Sequence, residues 1–267
     1  MRREDLQKRA IQKTRENIKK ELIRRDRLIV HVVKTMDQID KSTNLLLEQL
    51  KEWYAIYFPE LARSVEEPEE YLKLLINLKN KSQFTEKNVV ELVGQKRYRL
   101  DIEHASKNSM GIELGPEDLE SVISYAEKIQ TMRNERQKLE AYLETLMKEE
   151  SPNILAVVGA AIGARLIATA GSLEKLAEFP SSTVQVLGAE KALFSHLRKH
   201  TPSPKHGLIF SYPKLRGASL KLRGKIARRL ASKLSIASKV DFFKGEFVGD
   251  RLARELDDQI SKIVKSK

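Results

Sequence analysis

The feature that most constrains this chain is a heptad stripe. Ile11, Ile18, Leu22, Ile29, Val32, Met36, Ile39, Leu46, Leu50, Trp53 and Tyr57 fall on alternating three- and four-residue steps, interrupted by Arg15, Arg25 and Thr43. A helix carrying such a stripe must lay it against another helix, and from Ile11 to Tyr57 it would run roughly 70 Å. "FPEL" at Phe58 to Leu61 ends it. A second stripe comprises Val122, Tyr125, Ile129, Met132, Arg136, Leu139, Leu143 and Leu146. It follows "GPEDLE", where Pro116 suits a first helical turn and the acids favour the positive end of the helix dipole. The insert between the stripes, Glu66 to Gly111, holds shorter helical patterns such as "EEYLKLLINLKN" and "TEKNVVELVGQ", expected to form a tip. An insert of that size can reverse the chain, which favours an antiparallel hairpin; a parallel homodimeric coiled coil also satisfies both stripes.

After Ser151 the texture changes to short helices punctuated by Gly171, Pro180, Pro202, Pro204, Pro213, Gly217 and Gly245. Helices are expected over Asn153 to Ala170, Ser172 to Phe179, Gly188 to Lys199, Gly224 to Val240 and Gly249 to Val264. No strand pattern exceeds "STVQVL" or "GLIF". The fold class is therefore all-α: a long antiparallel coiled-coil domain with a small helical tip over residues 1–151, then a compact helical domain over 152–267. The most apolar window, Asn153 to Gly171, contains Gly159 and Gly163 at GxxxG spacing. Its uncharged run from Ile154 to Ala164 is too short to cross a bilayer and suits close helix packing. The expectation is no membrane partner, and the lack of cysteine favours an intracellular protein without thiol or sulfur–metal chemistry.

Charge points to the partner. The chain carries +12, yet the segment from Lys191 to Val240 holds thirteen Lys or Arg and no acidic residue, leaving 36 basic against 37 acidic side chains elsewhere. A solvated face normally mixes signs, so this segment is suited to a polyanion, and nucleic acid fits best. Within it, Ile226, Ala227, Leu230, Leu234, Ala237 and Val240 form an apolar stripe. Arg223, Lys225, Arg228, Arg229 and Lys233 then become candidate phosphate contacts.

Catalytic constellations fail on spacing. His196 and His200 share a helix face at i, i+4, with His206 nearby, but no carboxylate or cysteine accompanies them and the surrounding cations oppose a dication. "GASLKLRGKIARR" has six residues between Gly217 and Gly224 where a Walker loop has four, and Ile226 where it needs Ser or Thr. What survives is a helix start near Gly224 whose free N–H groups, with Lys225, could meet a phosphate. No G-x-S-x-G elbow or orienting acid occurs in the basic region. The reading is non-enzymatic, with no cofactor and no metal.

The motifs "GAEKALFSHL" (Gly188 to Leu197), "PKHGLIF" (Pro204 to Phe210) and "RGKIARRLASKLSIASKVDFF" (Arg223 to Phe243) resemble the Nop domain of box C/D small ribonucleoprotein core proteins. Upstream, "HASKNSMGIELGPEDLESV" (His104 to Val122) and "LKEWYAIYFPEL" (Leu50 to Leu61) resemble that family's coiled-coil region, with the archaeal member the most similar. The resemblance implies a scaffold that binds box C/D guide RNA folded into a kink-turn by a small ribosomal-protein-like protein. It also implies fibrillarin, the 2′-O-methyltransferase, as a partner, dimerisation through the coiled-coil region, and a cytoplasmic location in an archaeon or a nucleolar one in a eukaryote. Gly188, Ala189, Glu190 and Lys191 match the interface with RNA and the kink-turn protein, as do Lys205 and His206. Ala192, Leu193 and Phe194 match a guide-duplex contact, where Ser195 replaces an arginine often found in the family. Family members carry a globular fibrillarin-binding domain ahead of the coiled coil, and only about twenty residues precede the recognisable helix here, so direct fibrillarin binding by this chain stays open. Two other readings remain: a spliceosomal-type relative without a methyltransferase partner, and a coiled-coil structural protein with a basic DNA-binding end.

Overall fold

The computed structural model describes residues 12–14, 24–94, 99–199 and 202–265, and no strand occurs among them. Helix α1 (Asp26–Tyr54) carries the first stripe from Ile29 onward; Ile11, Arg15, Ile18 and Leu22 lie outside the described residues. Then come α2 (Pro59–Ser64), α3 (Pro68–Leu78), a 3₁₀ turn at Lys81–Gln83, α4 (Glu86–Val93), α5 (Arg99–Lys107) and the long α6 (Pro116–Glu150). The rest comprises α7 (Pro152–Ala170), α8 (Leu173–Glu178), α9 (Ser181–Val186), α10 (Glu190–Lys199), a 3₁₀ turn at Leu208–Ser211, α11 (Pro213–Arg216), α12 (Leu220–Phe242) and α13 (Gly249–Lys265).

Two compact units emerge, residues 36–138 and residues 1–35 with 139–267. They divide the chain differently from the expected break after residue 151, because both long helices are shared between them. In the first unit α1 and α6 run antiparallel: Asp40 pairs with Arg136 at 3.1 Å, while Trp53 packs its ring 6.1 Å from that of Tyr125. The buried face of α1 is also displaced from the expected stripe. Beyond Met36 it follows Thr43, Leu47, Leu50 and Tyr54, leaving Trp53 41% exposed. Thr43 is tolerated in the seam because its hydroxyl donates to the Ile39 carbonyl at 2.8 Å.

Two tyrosines close this unit. Tyr54 donates its hydroxyl to the Lys79 carbonyl, and the Tyr57 hydroxyl accepts the Lys81 N–H, each at 3.0 Å. Opposite them Glu60 accepts from the Ser109 hydroxyl and the Met110 N–H at 2.8 and 2.9 Å, fastening the "NSMG" loop to the "FPEL" turn. A side chain at Gly111 would meet the Tyr57 carbonyl at 2.0 Å, so only glycine admits this approach.

The second unit is built around α12. Its face of Ile226, Ala227, Leu230, Leu234 and Ala237 is buried, and α7, α8, α9 and α13 pack upon it. Helix α7 is apolar and long enough to cross a membrane, but Ile154, Val157, Leu166 and Ile167 are buried in this unit. Of its two GxxxG glycines, Gly163 packs closely, with Ile154 and Met147 carbons within 2.8 Å of where a Cβ would lie. Gly159 instead breaks the helix at φ 80°, ψ 167°.

Candidate nucleic-acid interface

Three segments far apart in sequence meet beside the N-terminal half of α12. Gly188 turns the chain between α9 and α10 at φ 84°, a backbone state that favours glycine, and a Cβ there would strike Leu208 at 2.5 Å. The Glu190 side chain reaches back to accept the Gly188 N–H at 2.6 Å, fixing the turn. The loop carrying Lys205 and His206 is sewn to this turn by three bonds. Gly207 N–H donates to the Gln185 carbonyl at 2.9 Å, Leu208 N–H to the Leu187 carbonyl at 2.8 Å, and the Gln185 side-chain amide to the Lys205 carbonyl at 2.8 Å. A side chain at Gly207 would meet the Leu187 carbonyl at 2.0 Å. The expected grouping of Gly188, Ala189, Glu190 and Lys191 with Lys205 and His206 is thus a single sewn surface.

His206 lies stacked on Phe210, centroids 4.4 Å apart and planes 12° apart, while the Arg223 guanidinium sits 5.1 Å from the same Phe210 ring. Partial burial, and then the charge of Arg223, hold the His206 imidazole below the ordinary histidine pKa. The ring is therefore favoured in its neutral form, suited to stacking. Arg223 also donates to the Ala218 and Arg216 carbonyls at 2.9 and 3.2 Å, so part of its fork holds the preceding turn.

Along α12, Lys225, Arg228 and Arg229 are exposed on one face, at i, i+3 and i+4. Lys233 is a correction. It is buried at 8% exposure and its ammonium is bonded to Glu255 of α13, so it is not presented with the others as a phosphate contact. The helix start is a second correction. Helix α12 begins at Leu220 after Ser219, so Gly224 lies inside it and the N–H groups there are not free for an anion. The Lys205 side chain passes 3.8 Å from the Cβ position of Gly224, an ordinary contact distance.

Ala192, Leu193 and Phe194 lie on α10, a helix with no buried residue; Phe194 and Leu197 are 60% and 64% exposed. Lys191, Arg198 and Lys199 are exposed on the same helix. Leu193, Ser195 and His196 are half-buried on one face, so the exposed Phe194 and Leu197 are presented to a partner rather than to the core. His200 lies outside the described residues, and among those described no cluster of three His, Cys, Asp or Glu is arranged to hold a metal. Gln185 and Phe210 were not singled out from sequence. Their signal was only the position of Gly188 and Gly207, which allow the close approaches that both residues then fix.

Comparison with known proteins decides the family. Residues 35–264 match the Nop family, described as snoRNA binding domain, fibrillarin. The chain belongs to the Nop family. It is 44% identical over 250 residues to an uncharacterised NOP5 family protein of Methanocaldococcus jannaschii, covering 94% of this chain and 60% of that one. It is 36% identical over 254 residues to nucleolar protein 56 of Bos taurus, covering 93% of this chain and 43% of that protein. A crystal structure of a fibrillarin/Nop5p complex is similar at TM-score 0.55 and 27% identity, covering 97% of this chain and 78% of the matched one. This Nop-family chain spans about half the length of the curated relatives it matches.

Proposed function

We propose that this chain is a non-catalytic scaffold of a box C/D guide ribonucleoprotein. It binds kink-turn RNA jointly with a small kink-turn-binding protein and supports 2′-O-methylation of RNA by fibrillarin. The observation that carries this reading is the sewn surface of the Gly188–Lys191 turn and the Lys205–His206 loop, flanked by the exposed Phe194 and Leu197 of α10 and by the cations Lys225, Arg228 and Arg229. Shape and neutral stacking recognise folded RNA, while guanidinium and ammonium groups supply sequence-independent phosphate contacts. Fibrillarin as a partner is supported by the similarity to a protein solved in complex with it. The reading further assigns the RNA and protein contacts to residues 152–267 and self-association to the coiled-coil region within 1–151.

A gel shift with box C/D RNA, with and without the kink-turn protein, tests this. Joint binding that exceeds binding to unstructured RNA of equal length is expected. Equal affinity for duplex DNA would replace it with the DNA-binding reading. His206→Ala should lower the preference for the kink-turn complex by about 1 to 3 kcal/mol while sparing non-specific binding, because one stacking ring is lost.

A further inference from the structure

A second cationic surface lies in the same unit, away from the residues just described. Arg24, Arg27, His31 and Lys34 line one side of a cleft of about 300 Å³, and Lys175 of α8 lines the other. On α1, Arg27, His31 and Lys34 are spaced four and three residues apart and share one helical face, and Arg24 lies just before the helix. Like charges along one face repel, and a solvated helix ordinarily relieves this with interspersed acids. Here the two nearest acids are both bonded to Arg24. Glu174, the one acid among the lining residues, is bonded to Arg24 at 2.5 Å. Asp26 is 4% exposed and bonds Arg24 at 3.3 Å and the Leu173 N–H at 2.9 Å. Arg24 thus fastens the entry of α1 to α8 across the cleft, and Arg27, His31, Lys34 and Lys175 are exposed around it.

We propose that this cleft is a second RNA-backbone site, gripping phosphates of a strand that extends beyond the Nop-type interface. The lining fits a backbone rather than a base. Ring stacking is limited to His31, the Ser172 hydroxyl accepts the Lys175 N–H at 3.1 Å, Glu174 is taken by Arg24, and the cations that remain supply the charge that phosphates seek. The volume accommodates a sugar–phosphate segment, and the polar, open lining offers little to an apolar ligand. This inference rests on the RNA-scaffold reading and adds a contact that reading does not include.

The test compares the wild-type chain with Lys34→Gln/Lys175→Gln, both exposed positions, in the presence of the kink-turn protein on two RNAs: a kink-turn stem alone and the same stem with a single-stranded extension. Circular dichroism establishes that the variant folds, and affinities are taken between 50 and 200 mM salt. On the extended RNA the variant should bind about tenfold more weakly, and the slope of log affinity against log salt should fall by about 1.4, two single-strand phosphates' worth. On the bare stem it should match wild type. Unchanged affinity and slope on the extended RNA, while wild type binds both, would overturn the cleft alone. Wild type binding neither RNA would overturn the scaffold reading and the cleft together. As a direct measurement, a photoreactive benzoylphenylalanine at position 31 should crosslink to the extension; crosslinking confined to the stem counts against the proposal.

Discussion

Single residues decide whether the interface is stacked or merely charged, and His206 is the one whose state can be titrated. Its imidazole rests on Phe210, and burial with the nearby Arg223 charge keeps its pKa below the ordinary value of about 6.5. The folded chain therefore takes up that proton less readily than the unfolded chain. The sign follows directly: the contribution of His206 to stability is present above the unfolded pKa and is lost as pH falls through the lower folded value. His206→Phe keeps an aromatic partner for Phe210 but cannot charge. Melting temperatures of the RNA-free protein between pH 7.5 and 5 should fall less steeply in this variant than in wild type, and parallel curves would mean that the stack does not resist protonation. Lys233 gives the converse lesson. Its surroundings in sequence contain no acid, so it reads as free, yet Glu255, twenty-two positions away on α13, takes its ammonium. Local charge counts are blind to partners that arrive through the fold.

At the scale of elements, the two long helices were legible because a repeat of three and four residues must bury its stripe against another helix; the stripes alone also suited a parallel dimer, and it was the size of the insert that favoured antiparallel pairing. Their finer register was not legible. Trp53 sits on the heptad ruler, but Leu47 and Tyr54 are buried in its place, because Tyr54 must reach the Lys79 carbonyl in the tip. The start of α12 differs from expectation for a related reason: Gly224 resembles a helix boundary, whereas the helix begins at Leu220 and runs through it. The start of α7 shows a long-range device that no local pattern announces. Asp241, 3% exposed near the end of α12, accepts the Asn153 N–H at 3.0 Å, the Asn153 side-chain amide at 2.7 Å and the Ile154 N–H at 2.9 Å. Burial raises its pKa above the usual carboxylate value, against the pull of those donors. It caps a helix from another helix, and Asn153 passes the connection on by accepting the Val248 N–H at 2.7 Å. Asp241→Ala leaves these donors buried without a partner. A loss of about 3 kcal/mol in chemical denaturation is expected, with a change under 1 kcal/mol showing the cap to be dispensable.

At the scale of the molecule, the +13 of residues 191–240 is not all available to a ligand. Lys214 pairs with Asp257 at 2.5 Å and Lys233 with Glu255, both acids lying just beyond the purged segment. The exposed remainder still supports about five phosphate contacts, enough to lower affinity by about two to three orders of magnitude between 50 and 200 mM salt. Arg228→Ala/Arg229→Ala should flatten that salt slope by about 2 and weaken all RNAs alike; selective loss on kink-turn RNA would instead make these arginines readers of shape.

The proposed self-association is assigned to the other unit, where exposed apolar side chains cluster. The Ile112 N–H donates to the Ile56 carbonyl at 3.0 Å, bringing two exposed isoleucines together, 62% and 50% exposed, beside Met110 at 92%. Trp53 lies one helical turn before Ile56 and is partly exposed as well. Such a cluster gains by being covered, and a second copy of the chain offers the same cluster in return, as an isologous contact requires. The bond between the two segments is made by backbone atoms, so Ile56→Glu/Ile112→Glu changes the surface without removing it. Sedimentation at tens of micromolar should show a dimer for wild type and a monomer for this variant, because four like charges would be brought together at the contact. A variant that remains dimeric would move the interface to the long helices themselves, whose seams within one chain are already filled by Leu47, Leu50, Val122, Ala126 and Ile129.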